Sequence, residues 1–403
     1  MTGGRRGVVM TQKSSPLRSE DVRQKNEKLI LRYIQHSNGI SQSQIVQLTG
    51  LKAPTVLRIF SMLEKNGLIK VQKNKPETDD AERKGRKPVY YCVKPKAKYV
   101  IGVEFWSQTA HVLVVDFARN PVYSLDVCLR EGADADEIFE QISTMITQVI
   151  ETSGIKKERI IGIGVGAPGQ IRVDTGEIIS YRRIPGFSNY PLGEKLNKRL
   201  GLPILVANNA GVIAMNAYRR GVAKESEALF TFFIRHGIGG AFIHRGELFS
   251  VLDRTAFEVG HTISVIDGKT CYCGSKGCLE AYTSESAILE QLNRRGYAFS
   301  TVVEVEQRLE EGDEHLRAQL KEDAVYLAIS AKNILHILAP DGFLVITRFK
   351  EISKLYAEAI EEELTSDSMH IDRGDIRVYY DAYNSIEAGY GACDLIFDQY
   401  FRL

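Results

Sequence analysis

Four residues within eighteen positions carry the clearest chemistry in this chain: His261, Cys271, Cys273 and Cys278. One imidazole and three thiolates in the spacing H-x9-C-x-C-x4-C form a ligand set that zinc takes in closed, tetrahedral sites. Gly274 and Gly277 let the backbone turn sharply enough for the sulfurs to converge. Half of the six cysteines fall in this segment. The competing reading is a cluster of buried thiols or a disulfide loop. If Zn2+ is held here, protein fills all four positions, so the ion is structural and shapes a neighbouring pocket; it leaves no open site for catalysis. The second ring nitrogen of His261 is then free to orient a ligand or a neighbouring group.

The elements that must position these residues belong to a chain of 403 residues, long enough for two or three domains. Its 44% hydrophobic and 26% charged content is that of an ordinary soluble protein. No run of eighteen apolar residues predicts a membrane span. Arg5, Arg6 and Lys13 precede no apolar stretch, so residues 1–19 are expected to be a mobile tail and not a secretory signal. Cys92, Cys128 and Cys393 are scattered, which suits a reducing cytoplasm better than a disulfide framework. The net charge of +1 conceals an asymmetry. Residues 1–98 hold 21 Lys and Arg against 8 Asp and Glu, a net of +13; the remainder holds 31 against 43, a net of −12. A basic module on an acidic body implies a polyanion partner for the module alone.

Residues 20–95 read as a winged helix-turn-helix. A helix is predicted over 22–36, and a short second helix is predicted after an N-cap at Ser41. A third helix runs from Ala53 to about Asn66, with Val56, Ile59, Phe60 and Leu63 as its buried stripe and Gly67 past its end. A two-stranded hairpin, 68–71 and 88–93, completes the module. The third helix of such a module enters the major groove, which nominates Lys52, Thr55 and Arg58 as base-facing residues on double-stranded operator DNA. Lys70, Lys73, Lys75, Arg83, Lys84, Arg86 and Lys87 fall on the wing and its base, where phosphates lie. A winged helix used for protein contacts is the alternative; the charge favours phosphate neutralisation.

From Tyr99 onward, apolar strands alternate with helices, an α/β pattern. Strands are predicted at 99–104, 111–116, 160–166, 229–234, 241–243 and 343–346, helices at 135–152 and 322–338, and a glycine loop at 237–240. Here the chain resembles the ROK family (repressors, open reading frames and sugar kinases) over residues 20–403. The resemblance rests on Gly237-Ile-Gly-Gly240, Glu258-Val-Gly-His261, Gly201-Leu-Pro-Ile-Leu-Val-Ala-Asn-Asn-Ala210 and the cysteine run Cys271 to Glu280. It implies an actin-like (ribonuclease H-like) body over 96–403 with a sugar cleft between two lobes. Lobe one would take about 98–208 plus 385–403, and lobe two about 209–384. Matched to the family's sugar-holding motifs, the cleft residues are Asn208, Asn209, Glu258, His261 and Glu280. Amides and carboxylates suit vicinal hydroxyls, because they donate and accept paired hydrogen bonds.

The chain departs from the family's kinases in three places. The Asp that serves as their base is Asn209 here, and an amide takes no proton at neutral pH; such a base contributes about 10²–10⁴-fold. The phosphate-loop pattern D-x-G-G-T-K falls on Glu104 to Thr109, with Trp106 and Ser107 where glycines would admit a phosphate. A Gly-Gly expected after strand 343–346 is Thr347-Arg348. The resemblance therefore implies a sugar-responsive repressor of carbohydrate-metabolism genes, not an enzyme, with a sugar or sugar-phosphate effector and a homodimeric or homotetrameric assembly. The alternatives are an active sugar kinase with an appended DNA-binding module, and a repressor governed by a protein partner. Selectivity would lie in loops 181–190 and 246–257, where Arg182 and Arg183 either meet a sugar phosphate or are surface charge.

Overall fold

A computed structural model describes residues 19–72, 88–249, 257–365 and 376–402. Residues 1–18 of the expected tail, the wing residues Lys73, Lys75, Arg83, Lys84, Arg86 and Lys87, and part of the 246–257 loop lie outside the described residues, and position 19 belongs to the first helix. The chain divides into two compact units, Met1–Ala97 with Phe401–Leu403, and Lys98–Tyr400.

The first unit contains α1 (Ser19–His36), β1 (Ile40–Ser41), α2 (Gln42–Thr49), α3 (Ala53–Lys65), β2 (Ile69–Val71) and β3 (Tyr90–Val93). Glu20 and Asp21 in the first turn of α1 complement its dipole. Ser41 caps α2 through a reciprocal box with Gln44. Pro54 sits in the first turn of α3, where its missing N–H is not needed, and Val56, Ile59, Phe60 and Leu63 are buried. The expected two-stranded hairpin is a three-stranded sheet of order β1-β3-β2, because Ile40 and Ser41 pair with Tyr91 and Tyr90. Two residues are too short a run to carry a strand pattern in sequence. The last residues, from Phe401, group with this unit and not with lobe one; Lys28 Nζ donates to the Arg402 carbonyl at 3.3 Å.

The second unit is built on two five-stranded sheets. Its first half runs β4 (Tyr99–Phe105), β5 (Thr109–Asp116), β6 (Pro121–Cys128), α4 (Ala135–Ser153), β7 (Ile160–Ala167), the small strands β8 (Gln170–Arg172), β9 (Glu177–Ser180) and β10 (Ser188–Tyr190), α5 (Leu192–Leu200) and β11 (Ile204–Asn208). The sheet order is β11-β7-β4-β5-β6, and the β8–β10 strands form a separate sheet. Helix α6 (Asn209–Arg219) leads out of this half. The second half runs β12 (Ala228–Ile234), β13 (Ile238–His244), β14 (Glu247–Leu248), α7 (Glu280–Thr283), α8 (Glu285–Arg294), α9 (Val302–Glu310), α10 (Glu314–Leu338), β15 (Gly342–Thr347), α11 (Lys350–Thr365), β16 (Arg377–Ala382) and α12 (Ser385–Phe401). Its order is β14-β13-β12-β15-β16.

Each sheet buries one apolar face under helices. Ile101, Val103, Val112 and Val165 pack on Ile138, Ile142 and Ile146 of α4. Phe230, Phe232, Phe343 and Val345 pack on α8–α11. The opposite face of the first sheet receives α12 at backbone contact. A Cβ on Gly102 would lie 2.1 Å from the Gly389 carbonyl, and one on Gly164 would lie 1.9 Å from the Ala392 carbonyl. Only hydrogen at these strand positions admits the helix. Thus α6 leaves the first half, α12 returns to it, and the two helices touch where a Cβ on Gly391 would meet the Val212 carbonyl at 1.9 Å. The residues flanking this crossing form the joint between the lobes.

Candidate ligand cleft, metal centre and DNA-facing helix

The cysteine run folds as sequence spacing requires. The Cys271 amide donates to the Ser275 carbonyl at 2.8 Å, and the Gly274 amide to the Cys271 carbonyl at 3.0 Å. Gly277 has φ +79°, and a Cβ there would sit 1.7 Å from the Val265 carbonyl oxygen, so no other residue fits. The donor atoms of His261, Cys271, Cys273 and Cys278 lie within 4.8 Å of one another. Cys271 Sγ is 3.7 Å from His261 Nδ1, and Cys273 Sγ is 3.7 Å from Cys278 Sγ. A zinc tetrahedron with bonds of about 2.3 Å to sulfur has sulfur–sulfur edges of about 3.8 Å, so the donor set fits the ion. The thiols are free of disulfides. Burial pushes the Cys278 thiol up to about 12, aided by the neighbouring cysteines. The other nitrogen of His261, Nε2, meets the Tyr272 hydroxyl at 3.2 Å, so the neighbouring group it orients is a tyrosine of the same loop.

Beside this loop lies an interlobe cleft of about 450 Å³, and all five sequence-nominated sugar residues line it: Asn208, Asn209, Glu258, His261 and Glu280. Asn208 ends β11 and caps α6, its Oδ1 accepting the Ala210 amide at 2.9 Å and its Nδ2 donating to the Gly169 carbonyl at 2.7 Å. That amide is committed to holding the loop against the helix. Asn209 opens α6. Glu258 is exposed at the start of the turn Val259–His261. Glu280, 4% exposed, accepts the Ile238 amide at 2.9 Å and Arg183 Nη2 at 2.8 Å. Burial works against the Arg183 charge, but Glu280 more than offsets it and holds the guanidinium above its ordinary pKa.

Of the two stretches matched to kinase phosphate loops, the first brings Trp106 into the lining of the same cleft, and the second places Arg348 5.9 Å over the Trp106 ring. Trp106 is buried, its Nε1 donating to Thr109 Oγ1 at 2.5 Å, and its ring lies 5.2 Å from that of His236. Arg235, 4% exposed, is boxed by the rings of Tyr383 at 3.8 Å, Phe233 at 4.6 Å and Trp106 at 4.9 Å. Its counterion is Glu104 at 3.6 Å, which Tyr383 also reaches with a 2.6 Å hydrogen bond. Arg348 makes a bidentate pair with Glu285 at 2.6 and 2.7 Å. Burial lowers the His236 pKa; Glu285 opposes that shift, and Arg348, Arg183 and Arg235 reinforce it. The glycine loop expected at 237–240 is not a loop. Gly239 and Gly240 are inside β13, and Gly240 pairs with Phe232 and bridges to Phe257. A Cβ on Gly240 would lie 3.0–3.1 Å from Phe230, Val259 and Phe257, so this glycine serves packing. Sequence reasoning missed Arg235 and Tyr383, because a single arginine at a strand end and a tyrosine 148 positions later carry no local pattern.

In the first unit, Lys52 is the exposed N-cap of α3, Arg58 is exposed and Thr55 is half-buried on the same face. Leu57 stands 55% exposed beside them, one position off the buried stripe, and was not nominated from sequence. Arg86 and Lys87 lie outside the described residues. No helix among the described residues is long and apolar enough to cross a membrane.

Comparison with known proteins bears on both units. A family model described as the ROK family matches residues 100–396, and one described as winged helix-turn-helix DNA-binding matches residues 23–70. The xylose repressor of Caldicellulosiruptor bescii is 24% identical over 360 residues, covering 86% of this chain and 89% of that one. Among solved structures, a ROK family transcriptional regulator homologous to the Escherichia coli MLC protein superposes with a TM-score of 0.80 at 18% identity, over 94% of this chain and 98% of that one. A ROK family glucokinase from Streptomyces griseus, solved with glucose and AMPPNP, superposes with a TM-score of 0.64 at 22% identity, over 74% of this chain and 98% of that one. Both structural likenesses are likenesses of fold.

Proposed function

Because the chain belongs to the ROK family and carries a winged helix-turn-helix ahead of the family's body, we propose that it is a sugar-responsive, DNA-binding transcriptional repressor without kinase activity. The observation that carries the reading is the cleft. Five residues matched to the family's sugar-holding motifs line it, while Trp106 and Arg348 occupy the stretches matched to phosphate loops, with Arg235 against the Trp106 ring. Asn209 opens α6 facing that cleft and offers an amide where a base would be needed. The likeness to a repressor over most of both chains supports the regulatory side of the reading. The effector is a sugar or sugar phosphate, the site of action is the cytoplasm, and the operator is read by a homodimer or a homotetramer, since such operators are commonly two-fold.

His261, Cys271, Cys273 and Cys278 would hold a structural Zn2+, which ties the loop bearing Tyr272 against the cleft. Glu258 and Glu280 accept hydrogen bonds from hydroxyls, and Asn209 can donate and accept. Lys52, Thr55 and Arg58 face the bases, and Arg86 and Lys87 neutralise phosphates. Sugar and operator then bind in opposition, and a useful switch needs about 1–3 kcal/mol of coupling between the sites.

The test is reciprocity. Operator DNA must weaken sugar binding by the factor by which sugar weakens operator binding, read by fluorescence anisotropy and by titration calorimetry. A coupled assay with ATP and a sugar panel is expected to show no turnover; turnover that depends on Asn209 would overturn the non-kinase assignment. On the DNA side, Arg58→Ala is expected to lose about 1–3 kcal/mol and relax sequence preference, whereas Lys87→Ala weakens all sequences alike and flattens the salt dependence by about one counterion.

A further inference from the structure

The carboxylate best buried in the cleft is already occupied. Glu280 Oε2 accepts the Ile238 amide, and Oε1 accepts Arg183 Nη2 at 2.8 Å. Arg183 lies in the turn between β9 and β10, in the first half of the body, yet its guanidinium hydrogen-bonds and stacks on the second half. It donates to the His236 carbonyl at 2.7 Å, pairs with Glu280, and lies 4.4 Å over the ring of Tyr272 in the metal loop. Its neighbour Arg182 donates to the Cys273 carbonyl at 3.0 Å. Glycine at 237 leaves the carboxylate its place, since a Cβ there would stand 2.9 Å from Glu280 Oε2. A hydroxyl that reaches for Glu280 must therefore share it with the guanidinium or displace it.

We propose that Arg183 is a built-in competitor for the sugar hydroxyl at Glu280, and that displacing it unties a strap between the two halves of the body. The inference rests on the reading of the cleft as a sugar site and adds the residue that sets its threshold. A charge-assisted N–H···O bond is stronger than the hydroxyl bond that would replace it, so Arg183 holds affinity for neutral sugars down. The strap is also poised to leave. Arg183 Nε is buried without a hydrogen-bond partner, so the guanidinium is only partly satisfied where it sits. A ligand that takes Glu280 frees the 181–183 segment from α7 and from the β12–β13 turn together, which links occupancy to lobe movement.

Trp106 is the single tryptophan of the chain and lines the same cleft, so its fluorescence reports occupancy without a label. The full-length protein is titrated with D-xylose, D-glucose and N-acetyl-D-glucosamine, with calorimetry as a second readout. Wild type is compared with Arg183→Met, Arg183→Gln and Arg183→Met/Glu280→Gln, and thermal unfolding of each sugar-free protein checks folding. Both single variants are expected to bind a neutral sugar about tenfold tighter than wild type, and the double variant to lose that gain. Arg183→Gln serves if Arg183→Met does not fold. Unchanged affinity in folded single variants overturns the proposal, and weaker affinity overturns it by making Arg183 a contact of the ligand. If none of the three sugars binds wild type or any variant, the reading of the cleft as a sugar site fails first, and the proposal goes with it.

Discussion

At the crossing of α6 and α12, one carboxylate gathers three arginines; in the cleft, one arginine faces a carboxylate it does not hydrogen-bond. Asp394, 1% exposed, accepts Arg119 at 2.5 Å and both arms of Arg220 at 2.7 and 2.9 Å, with Arg219 at 3.3 Å. Arg235 stands 3.6 Å from Glu104, and none of its three guanidinium nitrogens has a hydrogen-bond partner. Both arginine–carboxylate groups are buried, so both lack water's help, but only in the first do the arginines themselves hydrogen-bond the carboxylate; Glu104 is held by the Tyr383 hydroxyl instead. A buried charge pair holds geometry when its hydrogen bonds are made, and it is weak when they are not. The joint is built to keep one arrangement of helices. The cleft keeps its arginine by ring faces, whose attraction is less directional than a hydrogen bond and survives small sliding of one lobe on the other.

The sharpest way to break this contrast is at the joint. Asp394→Ala leaves three arginines around an empty acceptor and is expected to destabilise the body by about 3–5 kcal/mol in denaturant unfolding. A loss under 1 kcal/mol would put the joint on the same footing as the cleft. The same carboxylate sets an acid limit. Burial would raise its pKa, but Arg119 and Arg220 outweigh that and hold it below the ordinary carboxylate value. A depressed folded pKa gives stability that is present above the unfolded value, about 3.9, and is lost as pH falls through the folded value. Wild type should therefore lose stability below about pH 4, and Asp394→Asn, already less stable at neutral pH, should show a shallower loss across that range. Parallel acid curves would remove Asp394 from the account.

The cysteine loop should give an intermediate effect. Purified protein is expected to hold about one zinc per chain. Cys273→Ser should weaken metal binding by about a hundredfold or more, since one of four ligands is lost. It should also blunt the Trp106 fluorescence response to ligand while leaving the Asp394 joint intact. An unaltered metal content and ligand response would show that the four donors meet for packing alone. The smallest effect is expected from Glu104→Gln/Arg235→Met, which removes both charges and fills the aromatic box with an apolar stem. It should fall within about 1–2 kcal/mol of wild type, in either direction. A loss as large as that at Asp394 would mean that the cleft pair is as firm as the joint.

Much of the site was legible before folding. The spacing of His261 and the cysteines identified four donors that converge, and the Asn208, Glu258 and Glu280 motifs identified residues that share one cleft. Local sequence also named the cap of α2: Ser41 stands where its side chain predicts. What was not legible depends on partners distant along the chain. Gly237 to Gly240 read as a glycine loop, yet Gly240 lies in a strand against Phe230 and Phe257, which its own segment cannot show. Arg183 read equally as a phosphate ligand or as surface charge; its pairing with Glu280 joins residues 97 positions apart. The β1 strand exists only because Tyr90 and Tyr91 come back to pair with it.

Sequence alone thus determined the elements and the chemical types at the site, because helix periodicity, capping and metal-ligand spacing are local and need no knowledge of the rest of the chain. Tertiary structure decided which charges meet. Asp394 receives Arg119, Arg219 and Arg220 only because α12 returns to the first sheet over Gly102 and Gly164. Arg235 is left facing Glu104 without hydrogen bonds only because Trp106 and Tyr383 arrive from separate strand ends to enclose it. The strength of a charge pair depends on distance, burial and donor geometry, and these three quantities are set by packing between segments that no local pattern connects.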